Sequence, residues 1–150
     1  MITIGIDPGK SGGIAWIDER GKMCVEKMPE TLADLWELIV SFQINSEGGC
    51  AAYLEQVQGG LSAGKKGRMG VTSAFSFGNG FGHLEMALTA AGIPFHRVRP
   101  QEWQKAMKCM TKGDKNVSKR RAQELFPGIK VTHAKADALL IASYGRIKNL

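Results

Sequence analysis

Three acids in this chain sit where a protein can hold a carboxylate still. Asp7 closes the run Ile2-Thr3-Ile4-Gly5-Ile6 and opens the glycine-rich turn Pro8-Gly9-Lys10-Ser11-Gly12-Gly13. Glu55 closes Ala51-Ala52-Tyr53-Leu54, and Asp137 lies inside Ala136-Asp137-Ala138-Leu139-Leu140-Ile141-Ala142. Carboxylates gathered from separate elements suit divalent cations, and magnesium takes oxygen ligands while keeping several waters. Two such ions about 3.5–4 Å apart activate a water and stabilise the leaving oxygen of a phosphodiester. A strand end fixes its acid before any ion arrives, which lowers the cost of organising the site. Each acid also has a plainer reading. Asp7 before Pro-Gly can be a turn former bonded to its own backbone, and Glu55 can be a surface residue. Asp137 resists that treatment, because a carboxylate in an apolar helix is costly to bury unless it is paired or bound to metal.

The elements that must carry these acids follow from pattern. Ile2, Ile4 and Ile6 alternate with Thr3 and Gly5, as in a buried strand over 2–7. Residues 12–18 read as its hairpin partner, and 23–28 as a third strand beyond the polar turn Asp18-Glu19-Arg20-Gly21-Lys22. Residues 50–55 and 93–98 complete five strands. Thr31 is placed to cap a helix reaching about Gln43, with Leu32, Leu35, Trp36, Leu38, Ile39 and Phe42 as its apolar face. Further helices are expected over 73–91, 101–107, 118–126 and 135–147. The first of these carries Gly78, Gly80 and Gly82, which weaken a helix, and Phe75 and Phe77 read as its core side chains. Residues 58–73 are rich in Gly, Ser and Lys, and a loop of that length in a compact domain is usually functional or disordered. The expectation is one α/β domain over residues 1–150, a five-stranded mixed sheet flanked by helices.

Composition narrows the partners. Twenty Lys and Arg against 14 Asp and Glu leave a net charge of +6, which favours a polyanion. Lys65, Lys66 and Arg68 form one cluster, and Lys112, Lys115, Lys119 and Arg120 another. Either can be a solvated surface, but two clusters near the acid-bearing segments suggest a groove for phosphates. Ser118 reads as the N-cap of the 118–126 helix, whose free N–H groups would also suit a phosphate. Three widely spaced cysteines (Cys24, Cys50, Cys109) without a Cys-x-x-Cys pair argue against zinc and a disulfide framework. No apolar run approaches the roughly 20 residues of a membrane span. With a strand at the very start in place of a signal peptide, a reducing, cytoplasmic setting is expected.

Taken together, Ile4-Gly5-Ile6-Asp7-Pro8-Gly9, Leu54-Glu55-Gln56-Val57 and Ala136-Asp137-Ala138-Leu139 resemble the RuvC family of Holliday-junction resolvases, in the RNase H-like superfamily. The resemblance spans nearly the whole chain, and the short length is similar to phage-borne members. It implies a homodimeric, Mg2+- or Mn2+-dependent endonuclease with two ions per site that cuts opposed strands of a four-way DNA junction. Asp7 would bridge the ions, and Glu55 and Asp137 would complete the cage. The family usually adds an Asp or His three residues before the last Asp, where this chain has Ala134; His133, four residues before, shares a helical face with Asp137 and is the substitute ligand expected, provided the helix starts early enough. The family also probes the junction with an aromatic after its Glu, where this chain has Gln58. The helix bearing Phe75, Phe81, Leu84, Met86 and Leu88 would contribute to a dimer interface.

Other readings stand beside this one. The sugar-kinase, actin and heat-shock ATPases also open with a strand, an Asp and a phosphate-holding turn, but need a second such domain and a second glycine-rich loop. A nuclease of the same fold acting on RNA:DNA hybrids, forks or flaps remains open. So does a non-catalytic protein that binds branched DNA through the basic clusters alone.

Overall fold

The structure, a computed structural model, describes residues 1–56 and 70–149. Five strands form one sheet: β1 (Ile2–Asp7), β2 (Gly13–Asp18), β3 (Met23–Lys27), β4 (Cys50–Glu55) and β5 (Phe95–Val98), in the order β3-β2-β1-β4-β5. β1, β2 and β3 make an antiparallel meander, while β4 and β5 run parallel to β1. The mixed sheet expected from the sequence is therefore present. The parallel pairings need crossovers, which α1 (Leu32–Asn45) and α2 (Val71–Ala90) supply. Three helices follow: α3 (Pro100–Ala106), α4 (Lys115–Leu125) and α5 (His133–Lys148).

Pleating sorts β1 onto two faces. Ile4 and Ile6 join Leu35, Ile39, Phe42, Leu84 and Leu88 in a core beneath α1 and α2. Thr3 and Gly5 face the other way, toward α5. That second face holds Ala15, Ile17, Tyr53 and the buried flank of α5, with Trp103, Cys109 and Ala122 covering the helix from outside. α5 is thus sandwiched, which explains why Ala136, Ala138, Leu139, Leu140, Ile141 and Ala142 are all buried, on more than one side of the helix.

α5 lies closer to the sheet than side chains normally permit. A Cβ on Gly5 would stand 2.2 Å from the Ala142 nitrogen and 2.3 Å from the Ala138 oxygen. On Gly13 it would stand 2.6 Å from the Ala134 oxygen. The backbones of β1 and β2 therefore rest directly on α5.

The sequence-based boundaries shift in instructive places. Thr31 does cap α1, accepting from the Asp34 N–H at 3.1 Å. α1 buries Leu35, Ile39 and Phe42, but Leu32 and Trp36 remain exposed at 60% and 44%. The sheet covers only the i, i+4, i+7 stripe, and these two lie beyond its edge. Phe75, expected in the core, is 76% exposed because α2 begins at Val71, and its first turns hold no buried side chain until Leu84. Phe77 is half-buried, its ring reaching the Gly9 turn.

Candidate active site

The register of the sheet brings the first two acids together. Ile6 pairs with Leu54 in the parallel β1–β4 ladder, so Asp7 and Glu55 are the next residues on adjacent strands. Both have the parity of Gly5 and Tyr53 and point to the α5 face. Asp137 comes to the same place because α5 lies on Gly5 through Ala138 and Ala142. The turn after Asp7 folds back tightly: a Cβ on Gly12 would stand 2.0 Å from the Asp7 carbonyl oxygen, and Gly9 takes a φ of +101°.

Burial and mutual repulsion dominate the electrostatics. Asp7 is pushed up to about 8, first by desolvation and then by the charges of Glu55 and Asp137. Glu55 is pushed up to about 7 by burial and by Asp137, against the pull of the Trp103 N–H. Asp137 is raised by burial, while the Ser118 hydroxyl, Lys115 and His133 draw it back down. None of the three acids takes part in an ion pair among the described residues; those pairs join Met1 to Glu19, Arg97 to Glu85 and Arg121 to Glu124. Asp137 Oδ1 is buried without a hydrogen-bond partner among the described residues.

A cluster of carboxylates with Glu55 buried, Asp7 and Asp137 half-buried and one Asp137 oxygen orphaned is costly as it stands. The donor set is all oxygen, with one imidazole nearby, and suits a hard divalent cation. Among the described residues no three acids, histidines or cysteines are already drawn into a ready cage. Like charges resist closer approach without a cation between them. Asp7, Glu55 and Asp137 are the residues able to hold such an ion.

His133 meets the condition set for it. α5 starts at His133, with Thr132 as N-cap, so His133 and Asp137 stand one turn apart on a shared face. The imidazole is exposed, and its charge lowers Asp137.

One side chain at the site escaped the sequence reading, and another was read in a different role. Trp103, fully buried on α3, donates from Nε1 to Glu55 Oε2 at 2.6 Å. Ser118 is buried beside Asp137, its hydroxyl bonded to the Lys115 carbonyl at 3.3 Å. Ser118 is therefore not the cap of α4. Asp114 takes that role one turn earlier, its carboxylate accepting from the Asn116 N–H at 2.9 Å and its carbonyl from Val117 at 3.2 Å. With those N–H groups engaged by Asp114, the expected phosphate cradle at Ser118 is absent.

The second basic cluster borders the acids. Lys115 opens α4, exposed, and acts on both Asp7 and Asp137. Lys119 follows one turn on, half-buried, with Arg120 exposed beside it. Lys112 sits in the preceding turn at a φ of +47°. Lys65, Lys66, Arg68 and Gln58 lie outside the described residues.

As a sequence, the chain matches no family model and no curated protein. In three dimensions it is similar to T. thermophilus RuvC solved in complex with Holliday junction substrate. The identity is 17% and the TM-score 0.66, over 99% of this chain and 94% of that one. It is also similar to a Thermus thermophilus RuvC structure at 16% identity and a TM-score of 0.58, over 99% and 97% of the two chains. The fold is RuvC-like, an RNase H-like mixed sheet flanked by helices.

Proposed function

We propose that residues 1–150 form a single nuclease domain, a divalent-metal-dependent endonuclease for branched DNA, with four-way junctions as its substrate and a homodimer as its working form. The observation that carries this reading is the gathering of Asp7, Glu55 and Asp137, Glu55 buried and the two aspartates half-buried, all without a partner cation among the described residues, where two parallel strands end beneath α5. The RuvC-like fold supports it, since the neighbouring structure holds a Holliday junction substrate. The reaction would belong to DNA recombination and repair.

Two Mg2+ or Mn2+ ions in such a site supply an activated water and charge stabilisation at the leaving oxygen. The chain's own residues do the rest. Asp7, on the rigid end of β1, interacts with both other acids and would be the ligand shared by the ions. Glu55 and Asp137 flank it, and His133 adds an imidazole from the exposed side of α5. Lys115 directs an ammonium at the mouth of the cluster, where it attracts the scissile phosphate. Lys112, Lys119 and Arg120 extend that positive edge along the strand. Contacts of this kind read backbone shape and leave base sequence unread.

Leu32, Trp36 and Met86 line one largely apolar groove between α1 and α2, and such a surface supports a homodimer. A two-fold axis would give the paired sites that symmetric cutting of two strands requires. Among the described residues no helix is long and apolar enough to cross a membrane.

The deciding experiment is cleavage of a labelled four-way junction in Mg2+, beside matched linear duplex and RNA:DNA hybrid. Paired, symmetric nicks on the junction alone are expected. Cutting of the hybrid or a fork instead would move the function to another nuclease of this fold. Tight junction binding without cutting in either metal would favour a binding protein and direct attention to Ala134.

The loop cluster has its own test. Lys65→Ala with Lys66→Ala is expected to lower the salt slope of junction binding by about 1–2, the number of phosphate contacts removed. An unchanged slope would take that loop out of the groove.

A further inference from the structure

Helix α3 sends one side chain to the acid cluster. Trp103 lies on its first full turn, after Pro100 sets the helix entry, and is completely buried among Tyr53, Met107 and Leu139. An indole nitrogen only donates. Here it donates to a single carboxylate oxygen, Glu55 Oε2, at 2.6 Å. The packed ring cannot swing away, so that oxygen is held from the side of the protein and Oε1 is the one left for a ligand.

We propose that Trp103 is a positioning residue for the metal site, holding Glu55 Oε2 so that Glu55 offers one oxygen to a divalent cation. The inference rests on the metal-dependent reading above. Its chemical consequence concerns which ion fits. Mg2+ demands near-ideal octahedral geometry, whereas Ca2+ accepts carboxylates in either the one-oxygen or the two-oxygen mode. A carboxylate with one oxygen already engaged by an indole is biased toward the first mode and therefore toward the smaller ion. Releasing Oε2 would lower affinity for the small ion and ease two-oxygen binding of the large one. Partners of this kind alter metal affinity by about 10–100-fold.

The test is calorimetric titration of the full chain with Mn2+ and, separately, Ca2+, using wild type, Trp103→Phe and, as a control for an indole on the opposite face of the sheet, Trp16→Phe. Trp103→Phe is expected to bind Mn2+ about 10-fold more weakly, with Ca2+ affinity kept or raised. Junction affinity without metal should be unchanged, and cleavage should need more Mg2+ while its rate at saturating metal falls less. Trp16→Phe should match wild type in metal affinity. Equal Mn2+ affinity and an unchanged Mn2+/Ca2+ ratio in Trp103→Phe would overturn the proposal and leave the nuclease reading standing. Wild-type protein that binds neither ion would remove both. Should Trp103→Phe not fold, the indole N–H resonance of Trp103 in wild type serves instead. It must shift saturably with Mg2+ at the concentration where calorimetry shows binding, and a resonance that stays still through that titration would refute the inference.

Discussion

Asp7→Asn is expected to abolish junction cleavage in Mg2+ and, at the same time, to make the metal-free protein more stable at pH 8. The first effect should reach at least about 100-fold, the scale of losing one preorganised electrostatic group at a reacting centre. Junction binding should persist, because the basic residues are untouched. The second effect follows from proton linkage. The folded protein holds the Asp7 proton up to about 8, whereas an unfolded chain releases it near a pH of about 4. The stability this group confers is therefore complete below that lower value and is lost as pH rises through 8. Glu55, raised to about 7, acts in the same direction. Metal-free wild type should thus show a Tm that falls from mildly acidic pH toward pH 8.5. Asp7→Asn should flatten that slope, with a higher Tm at its alkaline end. Mg2+ should restore the wild-type Tm at pH 8 and do little for the variant. Thermal denaturation with and without Mg2+ checks all of this, and wild-type cutting by Asp7→Asn would refute the metal-site assignment.

Gly5→Ala is expected to be among the most damaging single methyl additions at the described residues. The added carbon would stand 2.2 and 2.3 Å from two backbone atoms of α5. A side chain in that position could rotate aside, but a helix backbone cannot. Overpacking usually costs about 1–3 kcal/mol, and this site should meet or exceed the upper figure. For a chain of this size each kcal/mol moves Tm by about 2–4 °C. Any relief must come from α5 lifting off β1, which carries Asp137 away from Asp7, so divalent-ion affinity should fall with stability. Gly80→Ala is the matched control, since its Cβ meets nothing within 4 Å and Ala is the better helix former. A Gly5→Ala protein with wild-type Tm would show that α5 does not sit where the structure places it.

The placement of the acids was legible in the sequence because each closes or interrupts an apolar run, but that Asp7 and Glu55 face the same way needed the register of β1 on β4. The strands were legible for the same reason. Helix starts were harder. Asp114 and Ser118 are both good caps four residues apart, and only the folded chain shows that Asp114 wins and turns Ser118 inward. Apolar periodicity marked α1 correctly but could not say how wide a stripe the sheet would cover, hence Leu32 and Trp36. On α2 the register of Phe75 depended on how far the helix extends before its first buried contact at Leu84. Trp103 carried no local signal at all. Its partner is 48 positions away, and a tryptophan after Pro-Gln-Glu reads the same whether it fills a core or tethers a carboxylate.

The contact of α5 on Gly5 and Gly13 has one more consequence. The separation between Asp7 and Asp137 is bounded by main-chain atoms touching main-chain atoms at Gly5 and Gly13, with the Thr3 and Tyr53 side chains seating the helix further along at Gly145. Main-chain atoms are common to all residues, so most of the surrounding sequence can be rewritten without recalibrating that distance, as long as the two glycines persist. A protein built on such a gauge can share its fold with others at 16–17% identity. The tolerance ends abruptly at the glycines, where a single carbon atom is too thick.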